Sequence, residues 1–369
     1  HRATTPAPAP GATPTTAMLT APTVPPIARV TVATVATTRK RTTKRVTTRK
    51  RTTVKPATTT ASSATGTAST AKVASKLWTV KGAGTVGLAV RESPSPTSVM
   101  RRRLPEGTWT NRMRICSWNV NGVRAAMHKG LATFLDETQP DILCLQETRL
   151  DAADVPESLS ALHGYDTCWS PLRRPGYGGV ATFSLRPPLA WRVGMDLPDF
   201  DDEDRVLITE YPEFVLYNVY FPNGKSSPAR LAYKLAFYDA FLRHVDEMVR
   251  TKRCLIICGD VNTAHQDLDI AHPEAHRHAS GFLPQERAWL DQFIAHGWVD
   301  TFRQFHPKQA GAYTWWDPRT RARARNAGWR IDYGFVPQTC LSQVVDAGIS
   351  PEVTGSDHCP IWLDVQFTT

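Results

Sequence analysis

The 369-residue chain has no Cys-x-x-Cys pair, no run of about 18 apolar residues, and almost no acid in its first third. Each absence excludes something. The seven cysteines (Cys116, Cys144, Cys168, Cys254, Cys258, Cys340, Cys359) are odd in number and several sit in apolar runs. A disulfide framework and a zinc site are therefore both disfavoured, and buried, reduced thiols of an intracellular protein are expected. Without a long apolar run, no membrane-spanning helix is expected. There is no P-loop, no Gly-x-Ser-x-Gly elbow and no His-Glu-x-x-His helix, which removes three large enzyme classes. "GAGTVG", from Gly82 to Gly87, has dinucleotide-binding spacing, but "LAVRESPSPTS" follows it instead of a helix opening, so that reading fails.

The shortage of acid is local. Residues 1–112 hold 19 Lys/Arg against 2 Asp/Glu, whereas the other 257 hold 25 against 32. The formal net charge of +10 thus averages a basic arm and an acidic body. The arm is dominated by Thr, Ala and Pro and cannot bury enough apolar surface to offset chain entropy, so it is expected to be disordered. "TTRKRTT" occurs at 37–43 and again at 47–53, too short and polar a repeat for a solenoid. A nucleic-acid-binding arm or a nuclear address is the expectation, and a solvated linker the alternative. The chain opens on His1, so a fragment or processed product is expected, or an extension that is itself a transit segment.

From Met113 the texture changes, and residues 113–369 are long enough for one large domain. "RICSWNV", "DILCLQE", "GGVATFS", "EFVLYNVYF", "CLIICGD" and "WRIDYGFV" are short apolar or β-rich runs between turn signals. "LAYKLAFYDAFLRHVDEMVR" and "PQERAWLDQFIAHG" have helical spacing. An α/β or α+β domain with buried sheets follows.

Several of the runs stop on polar residues. Glu147 ends one and Asp260 another; Asn119 and Asn121, Tyr220 and Asn223, and Asp357 with His358 end the rest. Rigid strand ends can hold side chains to chemical tolerance. In extended chain, residues two apart face the same way, so Asn119 with Asn121, and Asp260 with Asn262, are expected to act as pairs. Carboxylates with amide oxygens and no thiolate favour a hard cation such as Mg²⁺, with Mn²⁺ as substitute. A histidine beside acids stabilises an anion or moves a proton. Together the set suits displacement at phosphorus. Singly each residue is weak, since a strand-end Asp is more often a turn former, and Asp332 alone could be a buried hydrogen-bond anchor.

"ICSWNVNGVRA", "DILCLQETRL", "YFPNG", "CGDVNTAH", "NAGWRIDY" and "GSDHCP" resemble, in order and spacing, the exonuclease III family of abasic-site endonucleases, within the endonuclease/exonuclease/phosphatase superfamily. The resemblance spans about 113–366. It implies a DNase I-like, four-layered sandwich of two packed β-sheets flanked by helices. It also implies a Mg²⁺-dependent phosphodiesterase of base-excision repair that cuts 5′ to abasic sites, with 3′-5′ exonuclease and 3′ phosphodiesterase work besides. The implied partner is double-stranded DNA with abasic sites or blocked 3′ ends. A monomer is expected, in a DNA-containing compartment: nucleus in a eukaryote, cytoplasm or nucleoid in a bacterium.

The same resemblance implies residue roles. Glu147 is the main metal ligand, helped by Asn119 or Asn121 and by Asp357, with Asp260, Asn262 and His358 close around the cation. Asp260 handles the attacking water or the leaving group. Asn262 and Tyr220 hold phosphate oxygens, and His358 faces the phosphate, oriented by Asp332. Asn223 and Asp269 match lesser positions. Some relatives carry Asp where Asn121 stands, which weakens a two-metal arrangement. Trp315, Trp329 and Ile331 fall where the family lines a pocket for a base-less sugar, and apolar walls there would exclude a base; as plain sequence they could equally be core.

Arg319, Arg321, Arg323 and Arg325 alternate, so an extended loop would present guanidinium groups along one side, suited to phosphates or to wedging into a duplex. Tyr177 and Lys225 are further candidates for DNA contact. In "AHPEAHRHASGF", His272, His276 and His278 tempt a zinc reading, but companion cysteines are missing and the flanking Pro and Gly mark an irregular loop. Two rivals stand: a phosphatase of small phosphoesters, against which the Trp/Arg segment argues, and a DNA-binding protein with a dead nuclease fold, against which the full polar set argues.

Overall fold

The computed structural model describes residues 112–367 apart from 161 and 252, so the basic arm and the GAGTVG stretch lie outside the described residues. Twelve strands form two six-stranded mixed sheets. The first contains β1 (Arg112–Asn119), β2 (Ile142–Gln146), β3 (Asp166–Trp169) and β4 (Val180–Ser184), with β11 (Val344–Ile349) and β12 (Ile361–Gln366), in the order β11-β12-β1-β2-β4-β3. The second is built from β5 (Ala190–Val193), β6 (Val206–Glu210), β7 (Phe214–Tyr220), β8 (Cys254–Asp260), β9 (Trp298–Asp300) and β10 (Asp332–Pro337), in the order β5-β6-β7-β8-β10-β9. Each sheet has one parallel pair near its centre, β1 with β2 and β7 with β8.

The apolar runs are explained by what covers them. Ile115, Ile142 and Cys144 of the first sheet pack against Leu216, Ile256 and Cys258 of the second, in one layer between the sheets. Trp118, Leu143 and Leu145 face outward, onto Phe134 and Leu135 of α1 (Ala132–Thr138). Val219, Leu255 and Ile257 face the other way, onto Phe237 and Phe241 of α2 (Pro228–Val249) and Phe293 of α3 (Pro284–Ala295). Strands covered on both faces read as continuous grease because neither face meets water. The four-layered sandwich is thus present.

Two buried amides fix how the sheets sit on each other. Gln146 Nε2 donates to Ser117 Oγ at 2.9 Å in its own sheet and to Asn218 Oδ1 at 2.8 Å in the other. Asn218 Nδ2 in turn donates to the carbonyl of Ala181 at 2.8 Å. Stranding either amide would cost about 1–3 kcal/mol, so the network penalises slippage between the sheets near their functional ends.

Gly259 adds a backbone constraint on the parallel pair. It lies opposite Val219 at φ 152°, and a Cβ there would fall 1.9 Å from the Val219 carbonyl oxygen. Gly259→Ala should therefore push β8 off β7 and lower the melting temperature by roughly 6–12 °C, on the order of 3 kcal/mol. Calorimetry checks this, and a melt within about 1 °C of wild type would contradict the close approach. Six of the seven thiols are buried and Cys254 is half-buried; none is in a disulfide.

Candidate active site

The two parallel pairs end at the same place. In the first sheet Asn119 is in register with Gln146, so Glu147 is the next residue beyond β2. In the second, Tyr220 pairs with Asp260, and Asp260 pairs with Asp332 across β10. Side chains from both sheets meet there. Asn119 Nδ2 donates to Glu147 Oε1 at 3.0 Å and to Asp260 Oδ2 at 2.9 Å, joining an acid from each sheet. Asn121 Nδ2 donates to Asp357 Oδ1 at 2.8 Å, and Trp315 Nε1 to its other oxygen at 3.0 Å. Asn262 donates from its backbone N–H to Asp260 Oδ1 at 2.8 Å and from Nδ2 to Oδ2 at 3.1 Å, and accepts from Asn223 at 2.8 Å.

Residues two apart are linked here by turns and not by an extended chain. Asn121, Glu147 and Asn262 sit in the left-handed region, at φ 48°, 49° and 58°. The strands stop and the chain turns over the strand-end side chain: the Asn121 N–H donates to Asn119 Oδ1 at 3.0 Å as the Asn262 N–H does to Asp260. Asparagine tolerates that conformation, and Glu147 is the costly one, with about 1–3 kcal/mol of local strain. Asn119 and Asn121 consequently serve different acids. Asn119 turns its nitrogen toward both carboxylates.

His358 is buried, with Nδ1 2.9 Å from Asp332 Oδ2 and Nε2 4.0 Å from Asp260 Oδ2. Burial opposes charge on this imidazole, but the charge and hydrogen bond of Asp332, and then the Asp260 charge, outweigh it and raise its pKa to about 10. Burial and the adjacent Asp332 raise Asp260 to about 7. Asp357 is held below the usual carboxylate range although burial works against it, with His358, Asn121 and Trp315 as the causes. Burial first, and then Glu147, pushes Tyr220 well above its ordinary value, so its hydroxyl stays a donor.

The residue set fits a hard cation. Asp260, Asp332 and His358 offer ligand-type atoms within 4.8 Å of one another, the sole such group of three among the described residues. The Asp332 Oδ1 atom is buried without a hydrogen-bond partner. Buried carboxylate oxygens in excess of cations, with no thiolate among them, form a donor set for Mg²⁺ or Mn²⁺. A cleft of about 440 Å³ is lined by Asn121, Asp357, Trp316, Lys129 and Arg321 among others; Asp357 is the one member of the acid cluster that reaches it.

Trp315 and Trp329 stand edge to face with ring centres 6.0 Å apart, and Trp329 packs with buried Ile331. Backbone bridges join Trp315 to Trp329 and Trp315 to His358, so these walls are fixed relative to the imidazole. Lys225 reaches between them, its Nζ 4.7 Å from the Trp315 ring centre and 5.4 Å from that of Trp329. Tyr177 accepts at its hydroxyl from Arg205 at 3.0 Å, and Arg205 lies over the Tyr220 ring at 4.7 Å.

Two expectations change. Asp269 is fully buried and pairs with Arg330 at 2.7 Å and with Arg303, which makes it a clamp under the Trp329 segment and not a member of the acid cluster. The Arg319–Arg325 segment is not extended. It makes two short 3₁₀ turns, Pro318–Thr320 and Ala322–Arg325, in which Arg319 pairs with Asp317 while Arg323 turns in to the carbonyls of Pro351 and Ser356. A guanidinium strip along one side does not form. In the His-rich loop, His276 packs on Trp329 with ring centres 4.9 Å apart.

Sequence reasoning missed Arg205. It donates to the Tyr220 carbonyl at 2.9 Å and pairs with Glu203 at 2.6 Å, holding Tyr220 and Tyr177 together. Its one visible signal is a charge opening the apolar run "RVLIT". Ser356, which donates to the Asn119 carbonyl at 2.8 Å, was equally silent.

The family model described as Endonuclease/Exonuclease/phosphatase matches residues 116–358. The chain belongs to this family. An exodeoxyribonuclease of Bacillus subtilis is 40% identical over 256 residues, which are 69% of this chain and all of that one. The DNA repair nuclease APEX1 of Danio rerio is 37% identical over 68% of this chain and 81% of its own length. The solved structure of an AP endonuclease from Archaeoglobus fulgidus superposes with a TM-score of 0.63 at 29% identity, covering 69% of this chain and 100% of that one. The family's nucleases work with a metal ion, which agrees with the acid-rich donor set found here.

Asp269 yields a stability prediction. Burial disfavours its charge, but Arg330 and Arg303 overcome that and hold the carboxyl at about 2. A pKa depressed by folding stabilises above the unfolded value near 4, and that contribution fades as pH falls through about 2. Asp269→Asn should thus be less stable than wild type at pH 7, with the gap closing toward pH 2. Denaturant melts across that range check it, and a gap independent of pH would contradict the ion pairs.

Proposed function

We propose that the protein is a Mg²⁺-dependent endonuclease for abasic sites in DNA, cutting the phosphodiester on the 5′ side of the lesion, with 3′-end trimming as a second activity. The observation that carries this reading is the meeting of Glu147, Asp260, Asp357 and the Asp332–His358 pair beside the Trp315–Trp329 walls. The relatives named exodeoxyribonuclease, DNA repair nuclease and AP endonuclease support it.

In this reading Glu147 and Asp357 would hold the cation, which would supply positive charge to the phosphate as negative charge builds on it. Asp260, tied to Asn119 and Asn262, accepts a proton from the attacking water. His358, held by Asp332, presents Nε2 to a phosphate oxygen, and Asn262 and Tyr220 donate to the others. Asn223 holds Asn262 in place. Trp315, Trp329 and Ile331 enclose the base-less sugar, and Tyr177, Lys225 and Arg319 lie along its backbone.

Comparing a duplex carrying one abasic site with a soluble phosphomonoester tests the substrate class. Cleavage of the duplex at least ~10³-fold faster is expected, and preference for the small ester would favour a phosphatase. Removal of residues 1–111 should leave turnover in place but reduce the slope of DNA affinity against salt. Complete loss of turnover would contradict a separate, auxiliary arm.

A further inference from the structure

Lys225 follows the strand-end turn whose Asn223 holds Asn262, and its own backbone N–H donates to Asn223 Oδ1 at 2.9 Å. The ammonium is then caged by the two indoles described above. Among the described residues it makes no hydrogen bond and no ion pair. The residue as a whole is exposed, whereas its ammonium end is packed against the rings. A cation–π cage orients a cation but leaves it without an acceptor for its protons. The cage holds the ammonium against the pocket walls instead of leaving it free among phosphates.

Trp315 and Trp329 are the walls assigned to the base-less sugar. An abasic deoxyribose has a feature no normal nucleotide has: its ring opens to an aldehyde at C1′. We infer that Lys225 is an amine nucleophile for that aldehyde, forming an imine with C1′ without any metal. This rests on the abasic-site reading above. In the step, the Nζ lone pair forms a C–N bond to C1′ while the carbonyl electrons move to oxygen. The carbinolamine then loses that oxygen as water, with protons supplied by Nζ and solvent, to leave C=N. Neither oxidation nor reduction occurs. Desolvation of the ammonium lowers the pKa of Lys225, which raises the share of free amine available. The adduct would hold the lesion reversibly while the phosphodiester is cut.

The test uses the full chain in EDTA with sodium cyanoborohydride, which reduces an imine to a stable amine. Two duplexes are compared, one with a natural abasic site and one with a tetrahydrofuran analogue that lacks the aldehyde. The natural site should cross-link, the analogue should not, and peptide mapping should place the adduct on Lys225. Lys225→Arg, at protein concentrations that saturate binding of the analogue, should cross-link at least ~10-fold less. Cross-linking that maps to a lysine of residues 1–111, or that survives Lys225→Arg, would overturn the inference. So would absence of cross-linking from protein that binds the analogue and cuts it with Mg²⁺. Failure to bind or cut the analogue at all would instead bring down the abasic-site reading, and this inference with it.

Discussion

Glu147→Gln is expected to lower Mg²⁺-dependent cleavage by about 10³-fold, close to 4 kcal/mol of transition-state stabilisation, while leaving the melting temperature within ~3 °C. The substitution keeps size and shape but removes one of the two carboxylates to which Asn119 donates. Little stability is at stake, since the Arg149 partner is largely exposed and such surface pairs contribute about 0–1 kcal/mol. Much chemistry is at stake, because a neutral amide oxygen is a weaker ligand than a carboxylate for a hard dication. The Mg²⁺ concentration for half-maximal rate should rise as well. Single-turnover cleavage of an abasic duplex across a Mg²⁺ titration reads both, and unchanged turnover would remove Glu147 from the metal site.

His358→Ala is expected to cost a similar 10²–10³-fold in kcat with little change in KM, because the lost interaction matters most when charge builds on phosphate. It should also strand Asp332, whose other carboxylate oxygen is already buried and unpaired. Some loss of stability is therefore expected too, about 1–3 kcal/mol. The pH dependence has a definite sign. A pKa raised by folding to about 10 means that the pair's stabilisation is complete below the unfolded value near 6.5 and fades as pH rises toward 10. The stability gap between wild type and variant should accordingly narrow at alkaline pH. Steady-state kinetics and melts from pH 6 to about 10 check both statements; near-wild-type kcat would exclude His358 from the phosphate.

The sequence made the buried strands legible because β1, β2, β4, β7 and β8 are covered on both faces and so read as grease. Both long helices were legible from apolar spacing, and α2 begins where Ser227 caps it ahead of Pro228. Short edge strands such as β5, with Trp191 half exposed, carry no such signal. The acids and amides at strand ends were legible as a set, since polar residues ending apolar runs are conspicuous. How they pair was not, because it depends on left-handed turns at Asn121, Glu147 and Asn262 that no local pattern announces. Arg205 and Asp269 show the limit from opposite sides. One drew no reading and supports Tyr220 and Tyr177; the other matched a lesser site position and anchors Arg330 and Arg303.

The most direct test is to incubate the chain with a duplex bearing one end-labelled abasic site, with Mg²⁺ and with chelator, and to map the ends of the cut strand. Hydrolysis by this cluster predicts a single Mg²⁺-dependent nick on the 5′ side, leaving a 3′-hydroxyl and a 5′ deoxyribose phosphate. An intact strand, or a nick of equal yield in chelator, would contradict it.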